Sequence, residues 1–235
     1  MKPFRFQQFQ INQHTQVFRV GTDGLLLGAI CDVSNATNAL EVGGGTGLVS
    51  LMLAQRNPQV KITALDINAE ASELAGQNFQ NSPFADRLIS VHGDFKDYVP
   101  QDERFNLIVS NPPYFDENTS DKDRIARQTL ELDGKLIISK SASMLSADGF
   151  VSLIIPAEHA SDLEAHAGAH QLFPVRKVNI YGIAGGPLKR NILEFSRRQG
   201  EITTEEFIIE KSPRKYSDQY LKLTEGFHVF SDSLS

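Results

Sequence analysis

One cysteine, Cys31, is all the thiol this 235-residue chain carries, so no internal disulfide can form and a reducing compartment is expected. Sitting in an apolar segment, that thiol reads as a small core residue, not a nucleophile. Long apolar runs are also missing. The best of them, residues 25–31, falls far short of the roughly 20 residues of a membrane span. The N-terminal stretch Met-Lys-Pro-Phe-Arg-Phe-Gln-Gln lacks the apolar core of a secretion signal, so the expected location is the cytoplasm, with no membrane partner. No internal repeat and no low-complexity tract interrupts the chain. His166 and His170 are four apart, but no carboxylate at ligand spacing completes a set, so no metal is expected.

The net charge of −6 argues against a general nucleic-acid coat protein. Its distribution is uneven. Between Arg176 and Lys222 stand ten basic residues against six acidic ones, so that span is about +4 and the remainder about −10. A solvated mixed surface or a polyanion site accounts for this equally well.

Strand and helix signals alternate after a leader of residues 1–36. Strands are predicted over Asn38–Val42 and residues 61–65, then Leu88–His92, Phe105–Ser110 and residues 149–155. Helices are predicted at 47–56, Ala69–Gln80, 129–145 and 159–168. Two further strands, at 175–182 and 191–198, flank a Gly/Pro turn and form a hairpin. The pattern predicts one α/β domain with a mostly parallel seven-stranded sheet and one antiparallel strand. Its core covers residues 37–200, and a tail of residues 201–235 packs on it. Residues 115–127 are dense in charge without an apolar period and read as a loop beside the site.

The most informative four residues are Asn111-Pro112-Pro113-Tyr114, directly after the buried-strand run Phe105–Ser110. Two prolines cannot donate to a sheet ladder and hold the chain extended. Asn111 therefore stands at the carboxyl end of a strand, where open α/β sheets place their ligands. A side-chain amide, a rigid carbonyl at Pro112 and the ring of Tyr114 are the parts needed to grip a planar amine.

Glycines 43, 45 and 47 join the first strand to the first helix, permitting positive φ and close ligand approach. The third glycine of a dinucleotide fingerprint is absent, and so is the Gly-Lys-Ser/Thr of a P-loop. The pattern is acid-x-Gly-x-Gly-x-Gly, with Glu41 as the acid. Asp66 ends the second strand about 20 residues on, where a carboxylate can accept from two ribose hydroxyls. Asp94 ends the third and can accept from an exocyclic amine, with Phe95 covering an adenine ring. Each acid alone is a weak signal, but three strand ends in order carry the expected residue type.

With these motifs the chain resembles the class I S-adenosylmethionine-dependent methyltransferases, which have a Rossmann-like fold. The resemblance runs from Glu41 to about Arg198. It places Gly43, Gly45 and Gly47 along the cofactor's amino-acid part, Asp66 at its ribose, and Asp94 with Phe95 at its adenine. Asn111-Pro112-Pro113-Tyr114 resembles the signature of enzymes that methylate a planar nitrogen, implying catalytic roles for Asn111, Pro112 and Tyr114. Phe9-x-Ile11 and the segment from Val20 to Ala29 are similar to the opening of bacterial enzymes that methylate N6 of adenosine 37 in valine tRNA. That likeness sets Thr22, Asp23 and Gly24 against the cofactor's methionine end. It extends to Leu51-Met52-Leu53-Ala54-Gln55-Arg56 and to Arg124, Ala126 and Arg127 in the charged loop. Glu41 stands where Asp is commoner, which keeps the charge, and Gly44 makes an unusual Gly-Gly-Gly run that is expected to loosen cofactor binding without abolishing it.

The resemblance implies a tRNA substrate, with Tyr114, Phe115, Arg124, Arg127, Lys189 and Arg190 as candidate contacts. Lys189 and Arg190 in the hairpin turn, with Lys211, Arg214 and Lys215 in the tail, are the expected phosphate contacts. Protein glutamine methyltransferases share Asn-Pro-Pro-Tyr, but usually carry a helical N-terminal domain, where this chain has only about 36 residues before its first strand. Ribosomal-RNA guanine-N2 enzymes usually carry a duplicated N-terminal half. A cofactor-binding scaffold without catalysis is the non-enzyme alternative, and it has no need of the Asn111–Tyr114 set. The oligomeric state is not legible, and a monomer is the default expectation.

Overall fold

The computed structural model describes residues 2–14, 17, 20–100, 104–113 and 133–228. The expectations placed on Tyr114, on residues 115–127 and on the start of the helix at 129 lie outside them. Along the chain, β1 (Phe4–Arg5) and β2 (Gln10–Ile11) precede α1 (Thr22–Ile30), β3 (Asn38–Val42), α2 (Leu48–Arg56) and β4 (Lys61–Asp66). Next come α3 (Ala69–Gln80), β5 (Leu88–His92) and β6 (Phe105–Ser110). After residue 133 follow α4 (Gly134–Met144), β7 (Leu145–Pro156), α5 (Ala160–Ala169), β8 (Phe173–Ile183) and β9 (Leu188–Ser196). The tail supplies β10 (Thr203–Ser212), β11 (Lys215–Tyr216) and α6 (Asp218–Thr224).

Alternation along the central strands builds a core on both faces of the sheet. Ala39, Leu107 and Val109 point to one apolar cluster, which takes in α1, α2 and α3. Leu40 and Ile108 point to the other, beneath α4 and α5. That period of two is what a strand requires when both faces are covered. Local signals fix several helix starts: Asn68 caps α3 by accepting from Ala71 N, and Asp133 caps α4 by accepting from Leu136 N.

Among the described residues nine strands, not seven, pair in the order β11-β10-β8-β9-β7-β6-β3-β4-β5. The five from β7 to β5 are mutually parallel. β9 runs against both of its neighbours, and β11 runs against β10, so two strands are reversed instead of one. The added strands come from the tail, where β10 pairs in parallel with β8. Only Phe207 of β10 is buried, and its first four residues are exposed. Such an outer strand has no alternating apolar signal to read.

The leader is the second departure. Its apolar run forms α1, of which residues 24–30 are all buried. A helix covered on every side shows no period of 3.6, so composition there reveals burial but not conformation. Gly28 lets α1 lie against α2, since a Cβ there would stand 2.8 Å from Met52 Sδ. Arg56 donates to the carbonyls of Gly28 and Cys31 at 2.9 and 2.7 Å, satisfying the end of α1. Cys31 is fully buried, which pushes its thiol up to about 12. It is an inert part of the core.

Candidate active site

The carboxyl ends of β3, β4, β5 and β6 open onto one cavity of about 470 Å³. Of the candidate residues it brings together Asp23, Gly24, Glu41, Gly43, Gly45, Asp66, Asp94, Phe95, Asn111, Pro112 and Arg190. Thr22, Gly47 and Lys189 are not part of its lining. Tyr114, Phe115, Arg124 and Arg127 lie outside the described residues.

The glycine loop is held by its neighbour strand. Gly43 N and Gly44 N both donate to the carbonyl of Leu65, at 2.8 and 3.2 Å. Gly43, Gly45 and Gly47 have φ of 75°, 54° and 80°, the left-handed region that favours glycine. They do different jobs there. At Gly45 a Cβ would meet nothing within 4 Å, so the loop backbone is open to a ligand. At Gly47 it would stand 2.5 Å from Phe79 Cε1, so this glycine serves the packing of α2 against α3. Gly44 explains the third glycine of the run: a Cβ there would stand 3.0 Å from Ala64 Cβ, so a bare backbone brings the loop onto β4.

Asp66 ties the second strand end to this loop. Its Oδ2 accepts from Gly45 N and its Oδ1 from Asn68 N, both at 2.8 Å. Each carboxylate oxygen keeps a lone pair for a further donor. Burial pushes the Asp66 carboxyl up, opposed by those two amide bonds. Glu41 lies deeper, accepting from Ser50 N at 3.0 Å and from Ser50 Oγ on the same oxygen. Burial pushes it up to about 8.

At the third strand end, Asp94 Oδ1 accepts from Lys96 N at 2.8 Å. Phe95 reaches the cavity but is 3% exposed and packs within the core. The apolar side chain more open to a flat ligand is Ile67, 36% exposed beside Asp66, which the motifs in the sequence did not single out. Its signal was available: an apolar residue straight after a strand-ending acid, where a polar turn residue is usual. Val17 and Val20 of the leader also line the cavity and carry no such signal.

Asn111 is exposed at the end of β6, followed by buried Pro112. Gly24 of α1 lies against it, since a Cβ on Gly24 would stand 4.0 Å from Asn111 Nδ2. Asp23, on the same turn of α1, accepts from Arg190 Nε at 2.9 Å. Lys189 and Arg190 both belong to β9, not to the hairpin turn, and the Arg190 guanidinium reaches the cavity wall.

These residues fit S-adenosylmethionine. An open glycine backbone, a ribose-type acceptor in Asp66, an amine acceptor in Asp94 and the acids Asp23 and Glu41 share one enclosure with an apolar side. Among the described residues no group of three or more His, Cys, Asp or Glu converges as metal ligands, and no helix is long and apolar enough to cross a membrane. His166 and His170 instead share the hydroxyl of Ser139, at 2.8 and 3.1 Å.

Solved structures of similar fold include a predicted O-methyltransferase from Agrobacterium tumefaciens, at 20% identity with a TM-score of 0.68, covering 87% of this chain and 96% of that one. A methyltransferase from Pyrococcus furiosus follows at 17% identity and a TM-score of 0.60, covering 81% and 90%. The family model of the methyltransferase small domain matches residues 13–165. A tRNA1(Val) (adenine(37)-N6)-methyltransferase of a Flavobacteriaceae bacterium is 52% identical over 98% of this chain and 100% of the relative. The protein of the same description from Flavobacterium psychrophilum is 37% identical over 96% and 99%, and that from Bacteroides thetaiotaomicron is 36% identical over 96% and 97%. The chain is an S-adenosylmethionine-dependent methyltransferase of the methyltransferase small domain family, and within it belongs with the tRNA1(Val) (adenine(37)-N6)-methyltransferases.

Proposed function

We propose that this enzyme transfers a methyl group from S-adenosylmethionine to the exocyclic N6 amine of adenosine 37 in valine tRNA. The observation that carries the reading is Asn111-Pro112-Pro113 at the mouth of the cavity, in a chain alike over its full length to enzymes described by that activity. When bound, S-adenosylmethionine supplies a methyl group already activated on a sulfonium. This chain's residues have to bind, orient and polarise.

An adenine amine is a poor nucleophile because its lone pair is delocalised into the ring. Asn111 Oδ1 and the carbonyl of Pro112 each accept one N–H, which draws the nitrogen toward tetrahedral geometry. Both contacts tighten as positive charge develops there, so they favour the transition state over the ground state. Alignment within the cavity supplies part of the ~7–11 kcal/mol open to well-placed reactants. No strong base is needed, since the methylated ammonium loses its proton readily. The resemblance assigns Tyr114 to stacking on the splayed-out base, a contact that contributes ~1–3 kcal/mol. A base in an RNA loop is cheaper to extrude than one in a duplex.

The test is methylation of unmodified valine tRNA by the purified protein, read by mass spectrometry of the nucleosides. N6-methyladenosine is expected, and it should vanish when the transcript carries guanosine at position 37. Equal methylation of both transcripts would overturn the position, and no methylated adenosine at all would overturn the activity.

A further inference from the structure

The ten cations between Arg176 and Lys222 do not act together. Arg197 and Arg198 leave β9 at its far end, where Ser196 pairs with Phe150 and Phe173. They bond to the carbonyl of Ala142 and to Asp148. Arg176 is held 3.3 Å from Glu194 and 2.6 Å from Glu205, and Lys177 lies 2.8 Å from Glu164. Lys211 is 3.1 Å from Asp218. Arg190 is 2.9 Å from Asp23. Exposed Lys189, Arg214, Lys215 and Lys222 remain, and none of the four has an acidic side-chain partner among the described residues; Lys222 lies on α6, and the other three stand at strand ends and turns of the sheet.

Sheet register places these three beside the cavity. Ser110 at the end of β6 faces Leu153 of β7. Three residues on, Pro156 faces Arg190, which in turn faces Ile180 of β8. Arg190 is therefore level with Pro113, as its place in the cavity wall requires. β8 climbs three residues further to Ile183, opposite Glu210 of β10. The β8–β9 and β10–β11 turns thus stand roughly 10 Å above that level, and β10 lies two strand spacings, roughly 10 Å, to the side of β9. Ala184 N donates to the carbonyl of Glu210 at 2.9 Å, joining the two turns.

The outer turn has the make-up of an RNA surface. Arg214 adopts φ of 62°, a conformation usually left to Gly or Asn. Its backbone N donates to Glu210 Oε2 at 3.2 Å. Next to Lys215, Tyr216 is 48% exposed and stacks on Tyr220 with ring centres 4.4 Å apart. Cations interleaved with a fixed aromatic face suit single-stranded nucleic acid. On a protein of net charge −6, such a local surface is what a polyanion needs.

We propose that Lys189 at the start of β9, with Arg214 and Lys215 at the β10–β11 turn, forms a basic wall beside the cavity that holds the RNA backbone flanking the methylated adenosine. The inference rests on the tRNA reading above. It also accounts for the C-terminal strands, which extend the sheet far enough to carry the substrate.

The experiment measures binding of unmodified valine tRNA to the full-length protein between 50 and 200 mM salt, with cofactor affinity measured alongside. The triple variant Lys189→Ser, Arg214→Asn, Lys215→Ser uses Asn because it tolerates the left-handed turn. Its affinity should fall at least tenfold, and its salt slope by ~0.7 to 0.9 for each phosphate contact removed. Lys189→Ser alone, which leaves the outer turn intact, should lose one such step. Arg197→Ser with Arg198→Ser, at the opposite edge, should keep the wild-type slope. Unchanged slope and affinity in the triple variant, with the wild type active on tRNA, would overturn this inference alone. A wild type that neither binds nor methylates tRNA would overturn the tRNA reading and this inference with it.

Discussion

Arg190 Nε lies 2.9 Å from Asp23 Oδ2, joining residues that are 167 positions apart in the sequence. Asp23 is on the first turn of α1 and Arg190 near the start of β9, and both line the cavity. The pair therefore links the leader to the C-terminal hairpin across the site. Gly24, next to Asp23, in turn lies against Asn111. The leader forms a wall of the cavity between the strand end that bears Asn111 and the reversed strand.

Arg190→Ala should separate that role from simple stability. The two side chains are 35% and 30% exposed, so the pair contributes ~0.2–1 kcal/mol to folding. Cofactor affinity should fall several-fold, because Asp23 loses the partner that orients it. Urea unfolding and calorimetry on the same preparation check both. A large loss of stability with unchanged cofactor affinity would make the pair a structural tie only.

Two glycines of one loop should respond differently to the same change. Gly47→Ala adds a Cβ 2.5 Å from Phe79 at φ of 80°, so left-handed strain of ~1–2 kcal/mol joins an overpacking cost of ~1–3 kcal/mol. Gly45→Ala bears the strain alone, since nothing lies within 4 Å. Its new methyl projects where a ligand approaches, so cofactor affinity should suffer more than stability. Thermal unfolding with and without S-adenosylmethionine distinguishes the two. A Gly47→Ala variant as stable as wild type would contradict the packing.

What was legible in the sequence follows from what each residue had to do locally. The ends of β3, β4, β5 and β6 could be read because each couples an apolar run to a residue unsuited to a strand interior: Gly43, Asp66, Asp94 and the prolines after Asn111. β10 was hidden because an outer strand with one buried side chain has no period. α1 was hidden because burial on all sides erases its period. The close approach of Gly44 to Ala64 is visible only once β3 and β4 are paired. Arg190 was read as an RNA contact from local charge, and only the register of β9 with β7 brings it to the cavity. Long-range partners of this kind have no local signal.

Glu41 gives a pH dependence with a definite sign. Burial raises its folded-state value from 4.5 to about 8. The folded state therefore holds more protons than the unfolded chain between those limits, so stability is fullest below pH ~4.5 and falls as pH rises toward ~8. The slope from this group is at most ~1.4 kcal/mol per pH unit. Asp66, also raised by burial, adds in the same direction. Glu41→Gln keeps an acceptor for Ser50 N and removes the ionisation, so the variant should lose most of the decline between pH 5.5 and 7.5. Urea titrations at those two values check it, and an equal decline in both proteins would place the titrating group elsewhere.

Asn111→Ala and Asp66→Ala should fail in opposite ways. Asn111 is exposed at the cavity mouth, and its proposed contact strengthens only as charge develops on the reacting nitrogen. Removing its amide should lower kcat by ~100- to 1,000-fold, as loss of a transition-state hydrogen bond does elsewhere, with cofactor affinity within about twofold of wild type. Asp66 acts earlier. Its carboxylate already holds Gly45 N and Asn68 N and is the proposed acceptor for the ribose, so Asp66→Ala should weaken cofactor binding by ~1.5–3 kcal/mol. At saturating cofactor it should recover much of its turnover. Single-turnover rates with valine tRNA, set beside calorimetric affinities, distinguish the two patterns. An Asn111→Ala rate within threefold of wild type would show that the amine is prepared for attack by some other group.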